Sequence, residues 1–402
     1  MRVLHVVKTS DGAGWAARQA MVLVKQGIEV HVAVPRPDGT AIPLWKEAGA
    51  HIHIANLSFP ARRPWMLPEM CATARRLVAE VNPDLIHSHF VGTTLLLRVA
   101  LGRNSEIPRV FQVPGPLHLE YAIPRGADVA TAGANDYWIG SSRCILRHYR
   151  NAGVGKGRLF LSYYGGPMRA TERSGYLRQK LGIEEGAKIV GNINLIYPPK
   201  RFLGHSIGLK CHEDVIDAIG IVQRSRSDVV GVLIGGTFGS VNMRYEDGLK
   251  ARAREIGHGR ILMPGYFGPE EVRQSWPDFD CAVHVPLSEN CGGVVEPLLA
   301  GVPTIAGITG GLPEVVIDGI TGLSIPIRNP KALASSILTV LENPDLYQRM
   351  ALQGRRLVTK MFDIERTGIE VERIYRHIVE GAATPTAFSA EMVLDEMNAG
   401  KQ

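Results

Sequence analysis

The sequence predicts an α/β fold with parallel sheets, built twice along one chain. Three observations predict it. Short apolar runs alternate with amphipathic, helix-like runs, the pattern of βαβ units. The runs are nearly continuous in Val, Ile and Leu, as in strands covered on both faces. The alternation stops at a polar segment, Ser174–Gly186, and restarts after it; a length of 402 residues suits two domains.

Each element has its own signal. RVLHVV reads as a first buried strand, KTSDGAG as a loop, WAARQAMVLVKQG as a helix closed by Gly27, and EVHVAVP as a second strand. AHIHIA, a helix through Met66–Val81, DLIHSH and PRVFQV continue the first domain, with Asn82-Pro83 marking the turn into the fourth strand. After the break come KIVGNINLI, a helix at His212–Arg224, VVGVLIGG, a helix at Met243–Ile256, RILMPGY, a helix at Pro269–Trp276 and CAVHVP. PTIAG, LSIPI and a helix around Lys331–Glu342 complete the second pattern, and Phe362–Glu380 is a long helical run. The expected layout is a first domain over 1–180, a second over 185–360, a helix at 361–380 returning to the first domain, and a weakly ordered tail at 381–402. If ligands follow the rule for open α/β sheets, the strand ends of the two domains face each other across a cleft.

Composition narrows the function. Charged residues are 21% and hydrophobic residues 45%, as in a soluble protein with ample core. No window approaches 18 uncharged apolar residues, so no membrane span is expected, and MRVLHVV reads as a core strand and not a signal peptide. The five cysteines are scattered, with no C-x-x-C pair, so neither a disulfide frame nor a zinc site is supported and a reducing cytoplasm fits. The net charge of +6 suits phosphate-rich ligands, an anionic membrane face, or simply an ordinary basic enzyme. No basic run with interleaved aromatics points to nucleic acid. Gly12-Ala-Gly14-Trp-Ala-Ala17 matches G-x-G-x-x-A, but the second strand ends in Val-Pro-Arg without the acid that holds a ribose, which argues against a dinucleotide enzyme. What remains is a flexible, donor-rich loop before a helix.

The densest chemistry lies in Ser288–Gly311, SENCGGVVEPLLAGVPTIAGITGG. Glu289 and Glu296 bracket Gly292-Gly293 at the start of a helix-like run. Amides freed by glycines at a helix start cradle anions, and an acid one turn in accepts hydroxyl protons. That pairing suits a nucleoside diphosphate-sugar.

These residues, together with LLAGVPTIA, GGLPEVVIDGITGLSIP and GLKCHEDVIDAI, resemble the second domain of glycosyltransferase family 4, retaining enzymes of the GT-B fold. The resemblance covers about residues 185–345; GAGWAARQAMVLVKQGIEV and PDLIHSHF extend it more loosely to the first domain. It implies a GT-B protein of two Rossmann-like, doubly wound domains. It further implies that Glu296 holds the ribose and Glu289 sits by the donor sugar. Gly292 and Gly293 would meet the distal phosphate, Lys210 would pair with the diphosphate, and Gly12 to Gly14 would close over the donor. Three departures stand out. Six residues separate the two glutamates where the family has seven. Asn192 stands where the family has an arginine, so Lys200 or Arg201 is expected to restore the charge. Pro114 stands where the family often has a histidine, with His118 four residues on.

The resulting expectation is a retaining transfer of a hexose-type sugar from a UDP- or GDP-linked donor to a hydroxyl acceptor. Charge on the leaving diphosphate would be met by Lys210, Lys200 or Arg201 and the glycine amides, and His118 would bind donor hydroxyls. No metal site is evident, so no metal cofactor is expected. The basic and aromatic stretch 58–80, with Phe59, Trp65, Met66, Leu67, Arg62, Arg63, Arg75 and Arg76, suits peripheral contact with an anionic membrane and a lipid-linked acceptor in polysaccharide or glycolipid assembly. That would place the protein at the inner face of the membrane. The alternatives are a soluble natural-product acceptor or a non-catalytic GT-B scaffold.

Overall fold

The computed structural model describes residues 1–237 and 243–399. The chain forms two compact units, Met1–Met168 with Lys360–Gln402, and Arg169–Thr359.

In the first unit seven strands, β1 (Arg2–Val6), β2 (Glu29–Val34), β3 (His51–Ile54), β4 (Leu85–Ser88), β5 (Arg109–Val113), β6 (Asp136–Gly140) and β7 (Leu159–Leu161), form one sheet. Its order is β3-β2-β1-β4-β5-β6-β7 and every pairing is parallel. β1, β4 and β5 are almost wholly buried because both faces are covered. On one face Val3, Val32 and Leu85 pack under Ala16, Ala20 and Leu23 of the helix Gly14–Lys25 and under Val371 and Tyr375 of the helix Ile364–Glu380. On the other, Leu4 and Ile86 meet Leu77, Val78 and Leu96. The helix Ile364–Glu380 starts on an Asp363 cap, whose carboxylate accepts from Arg366 N. Gly368 lets it lie against the first helix, since a Cβ there would stand 2.5 Å from Val22.

The second unit repeats the plan with β8 (Lys188–Ile193), β9 (Val229–Ile234), β10 (Ile261–Gly265), β11 (Cys281–His284), β12 (Thr304–Gly307) and β13 (Leu323–Ile325), ordered β10-β9-β8-β11-β12-β13 and all parallel. In both sheets the order reverses at one place, between β1 and β4 and between β8 and β11. Such a switch point opens a crevice beyond the strands' carboxyl ends, where open α/β sheets bind ligands.

Two expectations at the edges change. The helix Tyr176–Leu181 straddles the end expected for the first domain at 180, yet it belongs to the second unit: Leu177 is buried with Ile189, Trp276 and Phe279, and its amide is held by Asp278 at 2.7 Å. The tail contains a helix, Ala390–Ala399, with Val393 buried; the last three residues of the tail lie outside the described ones. Among the described residues no helix is long and apolar enough to cross a membrane.

Candidate active site

The second unit's switch point holds a chain of polar contacts. His284 ends β11 and Asn194 follows β8; Asn194 Nδ2 lies 3.2 Å from His284 Nδ1, a bond across the crevice. His284 Nε2 lies 3.1 Å from Glu289 Oε2, and the same oxygen takes the Lys210 ammonium. An amide N–H can only donate, so His284 accepts at Nδ1 and donates from Nε2 to the carboxylate. Burial alone would raise the Glu289 carboxyl. The Lys210 charge and the His284 hydrogen bond outweigh that and hold it well below the usual carboxylate range. Burial, with the Lys210 charge, keeps His284 below its ordinary value and hence neutral. His212, fully buried at the start of the next helix, is pushed down to about 4 by burial, Lys210 and His284.

Backbone geometry sets this constellation. Gly208 lies so close to Tyr245 that a Cβ would overlap its hydroxyl; the Gly208 amide donates to that hydroxyl at 3.0 Å. Cys211 then takes a left-handed conformation, φ 53°, to enter the helix His212–Gln223. Its thiol, buried, is pushed up to about 12, which makes it an inert filler. Leu287 N donates to Leu209 O at 2.9 Å, tying the Glu289 loop to the Lys210 turn. Gly310, at φ 55°, lies so close to the Glu289 carbonyl that a Cβ would overlap the oxygen.

The glycine pair divides its labour. Gly293 sits on the His284 ring, where a Cβ would collide with Nε2, whereas Gly292 is exposed with open space around it. They open a short 3₁₀ turn, Gly292–Val294, that leads into the helix Val295–Leu299. Glu296 is exposed on that helix, and its Oε2 accepts from Trp276 Nε1 at 3.2 Å.

Lys200 is half-buried and Arg201 exposed in a 3₁₀ turn, Arg201–Leu203. The Lys200 charge is felt by His205, while the Lys210 charge is felt by Tyr197, His212 and His284. Asn192 is buried on β8, and its amide oxygen and nitrogen both lack a hydrogen-bond partner among the described residues.

In the first unit, Gly12 and Gly14 belong to a loop that is tied down, not loose. Ser10 Oγ donates to Arg36 O at 2.9 Å, Ala41 N to Ser10 O at 2.9 Å, and Asp11 pairs with Arg36. Ala13 caps the following helix at φ 62°. His118 joins a buried network: its Nε2 lies 3.3 Å from Asp128 Oδ2, and Asp128 also holds Arg98 at 2.7 Å and Tyr149 at 2.6 Å. His118 therefore donates from Nε2 to the carboxylate. In the stretch 58–80, Phe59, Met66 and Leu67 pack against the core, Arg75 Nε binds Ala100 O at 2.7 Å, and Trp65 is 72% exposed beside exposed Arg62 and Arg63.

The model of "Glycosyl transferases group 1" matches residues 201–357 and that of "Glycosyltransferase Family 4" matches 15–159. The chain belongs to the group 1, family 4 glycosyltransferases. It is 27% identical over 383 residues to D-inositol 3-phosphate glycosyltransferase of Corynebacterium glutamicum, covering 85% of this chain and 86% of that one. Its fold is GT-B. HepE from Anabaena, solved with UDP, superposes with a TM-score of 0.77 at 19% identity, over 93% of this chain and 99% of that one. Sucrose-phosphate synthase from Thermosynechococcus elongatus superposes at 0.76 and 17% identity, over 95% and 100%. Within this family 4 glycosyltransferase, the sequence pattern picks out Lys210, Glu289 and Glu296 but misses His284, Asn194 and Trp276. The histidine within CAVHVP is the one available signal, and nothing in its spacing ties it to Glu289.

Proposed function

We propose that this sugar nucleotide-dependent glycosyltransferase moves a hexose-type sugar from a nucleoside diphosphate to a hydroxyl acceptor, with retention of the anomeric configuration. One observation carries the reading: Lys210, Glu289 and His284 converge at the carboxyl ends of β8 and β11, beside the Gly292–Gly293 turn. Bond breaking places negative charge on the departing diphosphate. Lys210 meets it as a point charge, and the amides of Gly292 and Gly293 add fixed dipoles. Glu289 and His284 aim Lys210 beforehand, so little reorganisation is needed as charge develops. Glu296, steadied by Trp276, takes the ribose hydroxyls. Retention follows a front-face route in which the leaving phosphate accepts the acceptor's proton. In the first unit, His118 accepts a sugar hydroxyl at Nδ1; unchanged turnover in His118→Ala removes that role. HepE was solved with UDP and with UDP-glucose, which favours a uridine donor here.

The acceptor is a lipid-linked sugar or glycolipid, approached through Trp65 with Arg62, Arg63 and Arg76 at an anionic membrane surface. Co-sedimentation with anionic liposomes checks this: binding should fall in an Arg62, Arg63, Arg75 and Arg76→Gln variant, and absence of binding by the unaltered protein sinks it. The donor is tested by thermal shift against UDP, GDP, ADP and their sugars, since a ligand bound only to the native state raises its melting temperature. A response to one base, with slow hydrolysis of one of its sugars, supports the reading. No response to any of them favours a non-catalytic scaffold.

A further inference from the structure

The first unit's switch point carries a second polar cluster, made of three histidines. His5 on β1 and His87 on β4 are direct partners in the sheet, and His89 lies two residues on, so all three project from one face. All three are fully buried. Their ring centroids lie 4.1–5.2 Å apart, and one ligating nitrogen from each lies within 4.8 Å of the others.

Hydrogen bonds sort the ring nitrogens into two sets. The outer ones all meet tyrosine hydroxyls: His87 Nδ1 and His5 Nε2 (3.4 Å) meet Tyr375, and His89 Nδ1 (3.1 Å) meets Tyr164. Tyr164 in turn donates to Gln112 O at 2.9 Å, so it accepts from His89. Of the inner ones, His5 Nδ1 faces His89 Nε2 at 3.0 Å, and His87 Nε2 has no partner among the described residues. A fully buried imidazole nitrogen left without a partner is unusual and needs an explanation.

We propose that His5 Nδ1, His87 Nε2 and His89 Nε2 form a binding site for a divalent transition-metal ion of the zinc class. Nitrogens bound at about 2.0–2.1 Å in a tetrahedral set stand about 3.3 Å apart, close to the spacing His5 and His89 already have. Histidine ligands as a rule donate their other ring N–H to a fixed acceptor, which orients the ring; here Tyr375 and Tyr164 are those acceptors. Without metal, His5 carries its proton on Nδ1, toward His89. With metal it carries it on Nε2, toward Tyr375, so binding exchanges one tautomer for the other and releases no proton from the histidines. Burial keeps all three imidazoles neutral, the form that ligates.

A separate group, Glu29, His31 and His51, lies at the sheet's other side on β2 and β3, partly exposed, and would also take up metal. The test therefore uses full-length protein carrying His31→Gln and His51→Gln, stripped with chelator and titrated with Co2+. One equivalent should bind with the intense visible absorption of tetrahedral cobalt, and His87→Gln in that background should abolish it while melting normally without metal. Should His87→Gln fail to fold, Tyr164→Phe keeps every ligand but removes the acceptor behind His89, and should weaken Co2+ binding about 10–100-fold. No tetrahedral band, a band that survives His87→Gln, or unchanged affinity in Tyr164→Phe overturns the proposal.

Discussion

The two switch points share a topology and a residue type, and differ in charge. Between β1 and β4, His5 and His89 bond across the strands with tyrosines behind them. Between β8 and β11, Asn194 and His284 bond across the strands with Lys210 and Glu289 in front. The first cluster is sealed, with every histidine at 0% exposure; the second is open enough that Lys210 and Glu289 side chains keep 14% and 16%. A parallel sheet delivers side chains to the same place in both units. What then decides the chemistry is whether an ionised group can stay within reach of solvent and ligand. An ionised side chain buried away from solvent is tolerated only when fully paired. The core of the first unit shows this: Arg98 holds Asp128 and Asp136, and Arg109 completes the network by binding Asp136 at 2.7 Å.

The largest expected effect separates the two regions by function. Lys210→Ala removes the ammonium proposed to meet the leaving diphosphate, and should lower kcat about 10²–10³-fold, roughly 2.7–4 kcal/mol of barrier. Removing Lys210 also leaves the largely buried Glu289 carboxylate without its ion pair, so the melting temperature should fall as well. Steady-state kinetics beside a thermal melt checks both. A large stability loss with modest kinetic loss would make this switch point as structural as the other.

How much of this is legible in the sequence follows from range. Strands such as RVLHVV and VVGVLIGG announce themselves because burial on both faces demands continuous apolar runs. Glu289, Lys210 and Glu296 can be picked out because they sit inside a dense local motif. His284 cannot: its partner is five residues away through a loop whose path is set by Gly310, and its second partner, Asn194, is 90 residues away. The firm hold on the Gly12–Gly14 loop is equally hidden, since it depends on Ser10 and Asp11 meeting Arg36 beyond β2. The anchoring of His118 is hidden too, because the buried Asp128 that holds it lies in a helix of ordinary sequence.

The next effect concerns acid. His212 is neutral in the fold, with a value pushed down to about 4, and takes a proton at about 6.5 when unfolded. Its contribution is complete above about pH 6.5 and is lost as pH falls, because the unfolded state then binds the proton. The loss is about 1.4 kcal/mol per pH unit, roughly 3 kcal/mol by pH 4. The lowered Glu289 acts at lower pH only, since its ionised form is favoured above about 4.3 and is lost only as pH passes through its depressed value. Urea unfolding from pH 7 to 4 should therefore show a shallower decline in His212→Asn than in the unaltered protein. Equal slopes would mean that the charge of Lys210 and the burial of His212 do not set this region's pH response.

Gly310→Ala tests how far the open site depends on its backbone. The new Cβ meets the Glu289 carbonyl, a backbone atom that cannot swing aside, at a φ that disfavours any side chain. A stability cost of about 1–3 kcal/mol is expected, with displacement of Glu289 and a fall in kcat. Chemical denaturation together with kinetics reads both. Full activity with unchanged stability would show that Glu289 can shift freely, against the preorganised picture drawn from Lys210.

The smallest effect lies at the edge of the site. Trp276→Phe keeps the ring in its cluster with Phe279 and removes only the indole N–H that holds Glu296 at 3.2 Å. The carboxylate is exposed, so water replaces the lost donor and stability should fall by no more than about 0.5–1.5 kcal/mol. If Glu296 holds the ribose in ground state and transition state alike, the variant should raise KM for the donor a few-fold and leave kcat in place, because uniform binding lowers KM without accelerating the chemical step. A fall in kcat at constant KM would move Glu296 from nucleotide binding to the reacting centre, and would put the boundary between holding the donor and breaking its bond in a different place from where Lys210 and Glu289 set it.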